Sequence, residues 1–169
     1  MLTKKILLQM LDNNPPLVEG LINRDEQVQP SGIDFTLDEV MKFKTAGQVD
    51  FDNSERKLPE MEVIEPDDGW FSLPHGVYKV RFNEIVHIPK NLVGIARPRS
   101  TLLRCGATMN TALWDPGYEG RSESMLTVMN PKGIRLKKNA KIMQLVFLTL
   151  DEATEGYSGK YQGENIKKK

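Results

Sequence analysis

Short strand-like segments separated by turn-forming residues constrain the fold of this chain more than any other feature of its sequence. Apolar and polar residues alternate over residues 32–37, 76–82 and 84–88, and residues 124–129 and 142–148 are more continuously apolar. Alternation predicts strands with one buried face, and the continuous runs predict strands buried on both faces. The ten prolines and thirteen glycines mostly separate these segments. We therefore expect a mainly β fold, a distorted barrel or jelly roll.

Two terminal segments differ from this pattern. Residues 1–14 predict a short helix, because Thr3 suits an N-cap, Pro15-Pro16 ends the segment, and four apolar side chains share one face, namely Ile6, Leu7, Met10 and Leu11. Residues 156–169 are polar, contain glycine and end in lysines, which predicts a mobile tail or one that closes over a ligand. Between them, residues 45–74 are acidic and turn-rich, which predicts an irregular loop or hairpin.

The length and charge of the chain favour one domain in the cytoplasm. We expect the 169 residues to form a single domain with a substantial core. The 23 basic and 23 acidic side chains balance, so we expect no attraction to nucleic acid or to a membrane surface. The single cysteine, Cys105, forms no intrachain disulfide, and we find no secretory or membrane-spanning segment in the sequence.

Arginines and hydroxyls are concentrated in the segment from Arg97 to Arg104. Arg99, Ser100 and Thr101 offer the forked and charge-assisted donors that bind phosphate. A solvated basic strand end is the simpler interpretation, and the segment alone favours it.

An acid and an aromatic ring follow a few residues later, around a Pro-Gly turn. Asp115 precedes Pro116-Gly117, where it either caps the turn or acts as a general base on a water molecule. Tyr118 either packs against the core or stacks on a sugar or base.

Two further polar residues lie in segments that otherwise predict strands. Asp34 is either a surface residue or a magnesium ligand, direct or through water. Gln144 lies in an apolar strand and needs a hydrogen-bond partner, either backbone or phosphate. His75, His87 and Cys105 lack the spacing of a zinc site, and no glycine-rich phosphate loop is present.

Five segments, in order, resemble motifs of the dUTPase and dCTP-deaminase superfamily, and most closely its archaeal dUTPases. They span most of the chain: residues 29–34 (QPSGID), 97–102 (RPRSTL), 114–120 (WDPGYEG), 140–145 (AKIMQL) and 159–163 (GKYQG). The resemblance implies a distorted β-barrel, a homotrimer with shared active sites, and dUTP bound with Mg²⁺. It also implies hydrolysis of dUTP to dUMP and pyrophosphate, which keeps uracil out of DNA and supplies dUMP for thymidylate synthesis.

The resemblance assigns roles by position. Asp115 contacts the sugar and orients the attacking water, Tyr118 packs beneath the deoxyribose, and Asp34 helps to hold Mg²⁺. A hairpin over residues 108–114, which includes Thr111, reads the pyrimidine. The triphosphate is contacted by Arg99, Ser100, Thr101, Arg104 and Gln144. The tail closes over the ligand with Tyr157, Lys160 and Gln162.

One position separates hydrolases from deaminases in this superfamily. Counting from Asn130 or from Asp115 puts Thr127 or Met125 where deaminases hold a glutamate. Neither side chain transfers a proton at neutral pH, which favours the hydrolase. Two alternatives stay open: a dCTP deaminase, with Glu123 as a stand-in acid, and a slow regulatory module that binds nucleotide. We expect strand alternation to keep Glu123 away from the base.

Overall fold

The structure of the protein is a computed structural model, and it describes residues 1–166. Three helices are α1 (Lys4–Leu11), α2 (Arg24–Gln27) and α3 (Ser100–Arg104). The strands are β1 (Val18–Glu19), β2 (Val28–Gln29), β3 (Gly32–Phe43), β4 (Met61–Ile64), β5 (Trp70–Leu73), β6 (Gly76–Phe82), β7 (Ile85–His87), β8 (Leu92–Pro98), β9 (Ala107–Asn110), β10 (Glu119–Gly120), β11 (Glu123–Val128), β12 (Ile134–Lys137) and β13 (Lys141–Thr149).

A curved antiparallel sheet forms the body of the molecule. Its order is β8-β13-β3-β6-β11-β9, and β2 and β4 also pair with β3. The two ends of this order, β8 and β9, are consecutive in the chain, are joined by α3 and contact each other. The sheet is therefore nearly closed and barrel-like, which confirms the mainly β prediction. Two small sheets, β1-β7-β10 and β5-β12, flank it.

Strand alternation places the core inside this sheet. On β6 and β11 alternate side chains are buried, and β3 is buried on both faces over its first six residues. Phe35 of β3 packs edge-to-face on Phe82 of β6 with ring centroids 5.7 Å apart. Among the fully buried side chains are also Leu126 of β11 and Phe147 of β13.

The elements outside the sheet partly correct the sequence predictions. Helix α1 begins after Thr3 as expected, but Thr3 makes no capping hydrogen bond through its side chain and the helix ends at Leu11 rather than at residue 14. Leu7 of its apolar face is buried, whereas Ile6 is exposed. The stretch 45–74 contains β4, which closes a hairpin with β3, and β5, which pairs with the distant β12.

The tail, predicted to be mobile, packs on its own chain over residues 157–164. Tyr157 N–H donates to the Pro116 carbonyl at 2.7 Å, and Gly163 N–H donates to the Glu119 carbonyl at 2.8 Å. Residues 167–169, the end of the predicted tail, lie outside the described residues. Within residues 1–166, none of the helices has the length and apolar character that a membrane span requires.

Candidate active site

Two of the predicted phosphate-binding residues form a cluster with Asp34, at a place where three strands meet. Asp34 of β3 and Gln144 of β13 are directly paired across the sheet, and Arg99 follows β8 on the other side of β13. Arg99 forms an ion pair with the Asp34 carboxylate, and Gln144 Nε2 donates to Asp34 Oδ1 at 3.3 Å. We call Asp34, Arg99 and Gln144 the Arg99 cluster.

Asp34, the predicted magnesium contact, is held by side chains of its own chain. Its side chain is fully buried, and the carboxylate is engaged by Arg99 and Gln144 of the same chain. Among residues 1–166, no three His, Cys, Asp or Glu side chains come together as a metal site would require. The geometry makes Asp34 an anchor for two neighbouring side chains, and its predicted contact with Mg²⁺, direct or through water, stays a prediction.

Helix α3 continues directly from the Arg99 cluster. Arg99 is its N-cap, and its N–H donates to the Ile142 carbonyl at 3.1 Å, which fixes the start of the helix against β13. Leu102 is buried and anchors this single turn. Three of the predicted phosphate contacts lie exposed on α3 beside the cluster, namely Ser100, Thr101 and Arg104.

Asp115 and Tyr118 are not part of the Arg99 cluster. Both line a cavity of about 560 Å³. The turn that carries them is closed by the backbone, since Tyr118 N–H donates to the Asp115 carbonyl at 3.1 Å and Gly117 takes the positive φ of 78° that a type II turn needs. The Asp115 side chain makes no hydrogen bond to any of residues 1–166. Its carboxylate is therefore not used as a turn cap and lines the cavity.

Trp114 fixes the position of this turn against β8. Its N–H and carbonyl exchange hydrogen bonds with Gly94, and its indole Nε1 donates to Ser122 Oγ at 3.0 Å. A side chain on Gly94 would collide with Trp114, because its Cβ would lie 2.9 Å from that of the tryptophan. The predicted hairpin over residues 108–114 is wrong, since β9 pairs with β11 and Trp114 pairs with β8. Thr111 lies half-buried in between, just before the cavity-lining Ala112.

Tyr118 is buried and connects the cavity to the tail. Its hydroxyl donates to Glu164 Oε1 at 2.7 Å, and its ring packs edge-to-face on Tyr157 with centroids 5.7 Å apart. Burial, followed by the hydrogen bond to Glu164, raises the pKa of the Tyr118 phenol well above its ordinary value. Burial likewise raises the pKa of Glu164, and the hydrogen bond from Tyr118 opposes this shift.

The other predicted tail residues lie at different distances from the cavity. Tyr157 lines the cavity, as does Tyr161, which the sequence did not suggest. Gln162 is engaged by the turn itself, where it accepts from Glu119 N–H and donates to the Gly117 carbonyl, both at 3.1 Å. Lys160 is exposed. Glu164 was also missed, although it directly follows the recognised motif over residues 159–163.

Strand β11 forms one wall of the cavity and carries both positions considered above for the deaminase glutamate. Met125 lines the cavity, whereas Thr127 pairs with Thr108 of β9 and accepts from Asn110 Nδ2. Glu123 is two residues before Met125, on the same face of the strand, and it lines the cavity too. The expectation that Glu123 lies away from this site is therefore wrong. Its carboxylate is 2.6 Å from Lys79 Nζ of β6, another residue that the sequence did not suggest.

Comparisons with known proteins identify the family of the chain. The model of the dCTP deaminase-like family matches residues 1–150. A probable deoxyuridine 5'-triphosphate nucleotidohydrolase of Methanosarcina mazei is 57% identical over 167 residues, 98% of each chain. The deoxyuridine 5'-triphosphate nucleotidohydrolase of Methanocaldococcus jannaschii is 42% identical over 141 residues, 82% of this chain and 89% of that one.

Among solved structures, the 2'-deoxycytidine 5'-triphosphate deaminase from Agrobacterium tumefaciens shares the fold. The TM-score is 0.63 at 18% sequence identity, over 86% of this chain and 47% of that chain. The motifs, the barrel-like sheet and the family match point the same way, and the chain belongs to the dCTP deaminase-like family.

Proposed function

We propose that this protein is a dUTP diphosphatase, which hydrolyses dUTP to dUMP and pyrophosphate. The observation that carries the proposal is that Asp115 and Met125 line the same cavity. Asp115 supplies a carboxylate for activating water, while Met125 is one of the two positions, with Thr127, at which counting puts the glutamate of the deaminases. A thioether holds no proton, so it does not serve the acid–base steps of deamination. The names of relatives more than half identical over nearly the whole chain support the same activity.

In the proposed hydrolysis, Asp115 acts on water, and the residues in and beside the Arg99 cluster act on the phosphates. Asp115 orients a water molecule and takes its proton as the oxygen bonds to the α-phosphorus. The bond from that phosphorus to the bridging oxygen breaks, and pyrophosphate leaves with the electron pair. Arg99, Ser100, Thr101, Arg104 and Gln144 bind the phosphates and stabilise the negative charge that develops on them.

The nucleoside occupies the cavity in this proposal. Tyr118 packs beneath the deoxyribose, and Thr111 and its neighbours contact the pyrimidine. The tail closes over the ligand with Tyr157, Lys160 and Gln162, which excludes bulk water from the reaction.

Magnesium enters this proposal with the substrate. The ion favours oxygen ligands, keeps several waters and is often held by substrate phosphates together with one or two carboxylates, so an arrangement without a protein cage suits it. Asp34 would then act on the metal only indirectly, through Arg99 and Gln144. An excess of chelator is expected to abolish hydrolysis, and full activity in chelator would contradict the role of Mg²⁺.

We further propose a homotrimer in which neighbouring chains share each site. Three acids line the cavity, Asp115, Glu123 and Glu164, against one lining cation, Lys79, among the described residues. This balance repels a triphosphate. We therefore assign the arginines of each site to a neighbouring chain, since the Arg99 cluster of the same chain lies at the far end of β8, roughly 16 Å from the turn held by Gly94.

Exposed apolar side chains mark the surface where subunits would meet. Met125 and Val77 are exposed on the face formed by β6 and β11, and Met129 and Leu103 lie exposed beside it. Burial of such a patch between chains with closed symmetry gives three equivalent sites. Light scattering at micromolar concentration is expected to give three times the chain mass, and an active monomer would contradict the trimer.

The remaining expectations concern the setting of the reaction. We propose that the protein acts in the cytoplasm on free dUTP, without nucleic acid or membrane partners. The exposed thiol of Cys105 suits a reducing compartment. There the reaction would keep uracil out of DNA and supply dUMP for thymidylate synthesis.

Product analysis tests the activity directly. The purified protein is incubated with Mg²⁺ and either dUTP or dCTP, and the nucleotides and pyrophosphate are resolved. We expect dUMP and pyrophosphate from dUTP, and unchanged dCTP. Formation of dUTP or dUMP from dCTP would identify a deaminase. Tight binding of a nonhydrolysable dUTP analogue without turnover of dUTP would identify a regulatory module.

A further inference from the structure

We propose that Glu164 is a positioning residue that holds the Tyr118 ring in place and thereby sets the preference for a 2'-deoxy sugar. The inference rests on the proposed function, because it takes the nucleoside to lie in the cavity on Tyr118. It adds a residue that acts through Tyr118 and lies outside the motifs found in the sequence.

The first support is the hydrogen bond between the two side chains, which holds a buried tyrosine. The Tyr118 hydroxyl donates to Glu164 Oε1 at 2.7 Å, and the ring is only 6% exposed. A hydrogen bond from a phenol to a carboxylate is charge-assisted and strongly directional. With the edge of Tyr157 against its ring as well, Tyr118 is fixed at both its hydroxyl and its ring.

The second support is the backbone that carries Glu164 to this position. Glu164 bridges Gly120 in parallel fashion, and its carbonyl accepts from Arg121 N–H at 2.9 Å. Asn165 Nδ2 donates to the Arg121 carbonyl at 3.0 Å and extends the same attachment. The tail is therefore docked as a short extra strand beside the turn that carries Tyr118.

The third support is Gly120, which leaves room for the contact. A Cβ at this position would lie 2.4 Å from the Tyr118 hydroxyl oxygen and 3.2 Å from Glu164 Cγ. Any side chain there would displace the phenol or the carboxylate. The sequence thus provides the donor, the acceptor and the space between them from three separate positions.

A fixed ring has a consequence for selectivity. A tyrosine ring that is free to rotate or tilt accommodates an additional hydroxyl on the sugar, whereas a ring held at both positions does not. Removing the Glu164 carboxylate should therefore raise the relative activity toward UTP. A tail that is merely anchored by Glu164 would instead lose activity toward dUTP and UTP in equal proportion.

The experiment compares kcat/KM for dUTP and UTP in Glu164→Ala, Glu164→Gln, Tyr118→Phe and the double variant Tyr118→Phe/Glu164→Ala. Loss of a hydrogen bond to a charged group should reduce the dUTP-to-UTP preference roughly tenfold to hundredfold in Glu164→Ala and in Tyr118→Phe. The double variant should lose no more than either single variant, because both remove the same contact. Glu164→Gln keeps an acceptor and should retain most of the preference.

Glu155→Ala is the matched control, since Glu155 is an exposed glutamate that precedes the docked part of the tail. Additive losses in the double variant, or equal losses for dUTP and UTP, would overturn the inference. The affinities of the α,β-imido analogues of dUTP and UTP give the same comparison without turnover. A wild-type protein that neither hydrolyses dUTP nor binds its analogue would instead refute the proposed function.

Discussion

The Arg99 cluster and the Asp115 cavity are built in different ways. The cluster joins β3 and β13 to the end of β8, and a fully buried carboxylate holds its arginine and its glutamine. The cavity is lined by a turn, the start of β11 and a tail that docks through a few hydrogen bonds. Under the proposed function, phosphate binding would rest on the strands of the main sheet, while nucleoside binding would depend on the docked tail.

The largest effect is expected from Asp115→Asn in the cavity. Loss of general-base assistance should lower kcat for Mg²⁺-dUTP by about 10²–10⁴-fold. The turn is closed by backbone, so the fold should persist, as circular dichroism can verify. Asp151→Asn, at an exposed position, is the control. Near-normal turnover in Asp115→Asn would exclude the aspartate as the base.

The next effect concerns the stability of the Arg99 cluster. Arg99→Met leaves the Asp34 charge buried without its partner, which should cost about 3–5 kcal/mol in the free energy of unfolding. Asp34→Asn leaves a partly exposed arginine that water can solvate, so it should cost about 1–3 kcal/mol. Urea unfolding measures both.

Arg97→Met is the control for these two variants, because Arg97 lies exposed near the end of β8, two residues before Arg99. A larger loss of stability in Asp34→Asn than in Arg99→Met would show that the Asp34 carboxylate is not held chiefly by Arg99. The Mg²⁺ concentration for half-maximal activity should stay unchanged in Asp34→Asn, and a large increase would restore Asp34 as a metal ligand.

Hydrogen exchange compares the two regions without any substitution. The amides of Tyr157 and Gly163 should exchange through local opening of the tail, with protection roughly 10²-fold or more below that of Leu145 and Phe147 in β13. A nonhydrolysable dUTP analogue should raise protection in the tail and leave β13 unchanged. Equal protection of the tail and β13 before ligand is added would show that the two regions do not differ in their stability against local opening.

The smallest effect is expected from Glu123→Gln. Its ion pair with Lys79 is about a quarter exposed, and pairs of this kind contribute about 1 kcal/mol or less. We expect kcat/KM for dUTP to stay within roughly threefold of the wild-type value, and dCTP to be left intact by both proteins. Glu152→Gln, an exposed change, is the control. Deamination of dCTP that Glu123→Gln abolishes would give Glu123 a catalytic role.

The sequence predicted the strands better than it predicted the short helices. Alternation locates β6 at its observed bounds and the start of β3, and the continuous apolar runs place β11 and β13 to within one residue at each end, because both patterns are local properties. Strand β3 continues six residues beyond its predicted end. Helices α2 and α3 have four and five residues, too few to be stable alone, and depend on tertiary contacts such as the buried Leu102.

Individual residues of the candidate site could be predicted from the sequence, but the contacts between them could not. Asp115 and Tyr118 were found because they share one local turn. The ion pair of Asp34 with Arg99 and the hydrogen bond from Tyr118 to Glu164 join residues far apart in the chain, and nothing in the local sequence indicates such partners. The burial of Asp34 was therefore missed, as was the face of β11 on which Glu123 lies.

The separation of the two regions along β8 has a consequence for mixtures of defective chains. If each site takes Arg99 from one subunit and Asp115 from its neighbour, an Arg99 variant and an Asp115 variant are each inactive alone yet complement each other when reassembled together. In an equal mixture with random assembly, about a quarter of the sites receive both intact residues. Two null alleles of the gene would then restore each other's activity in one cell.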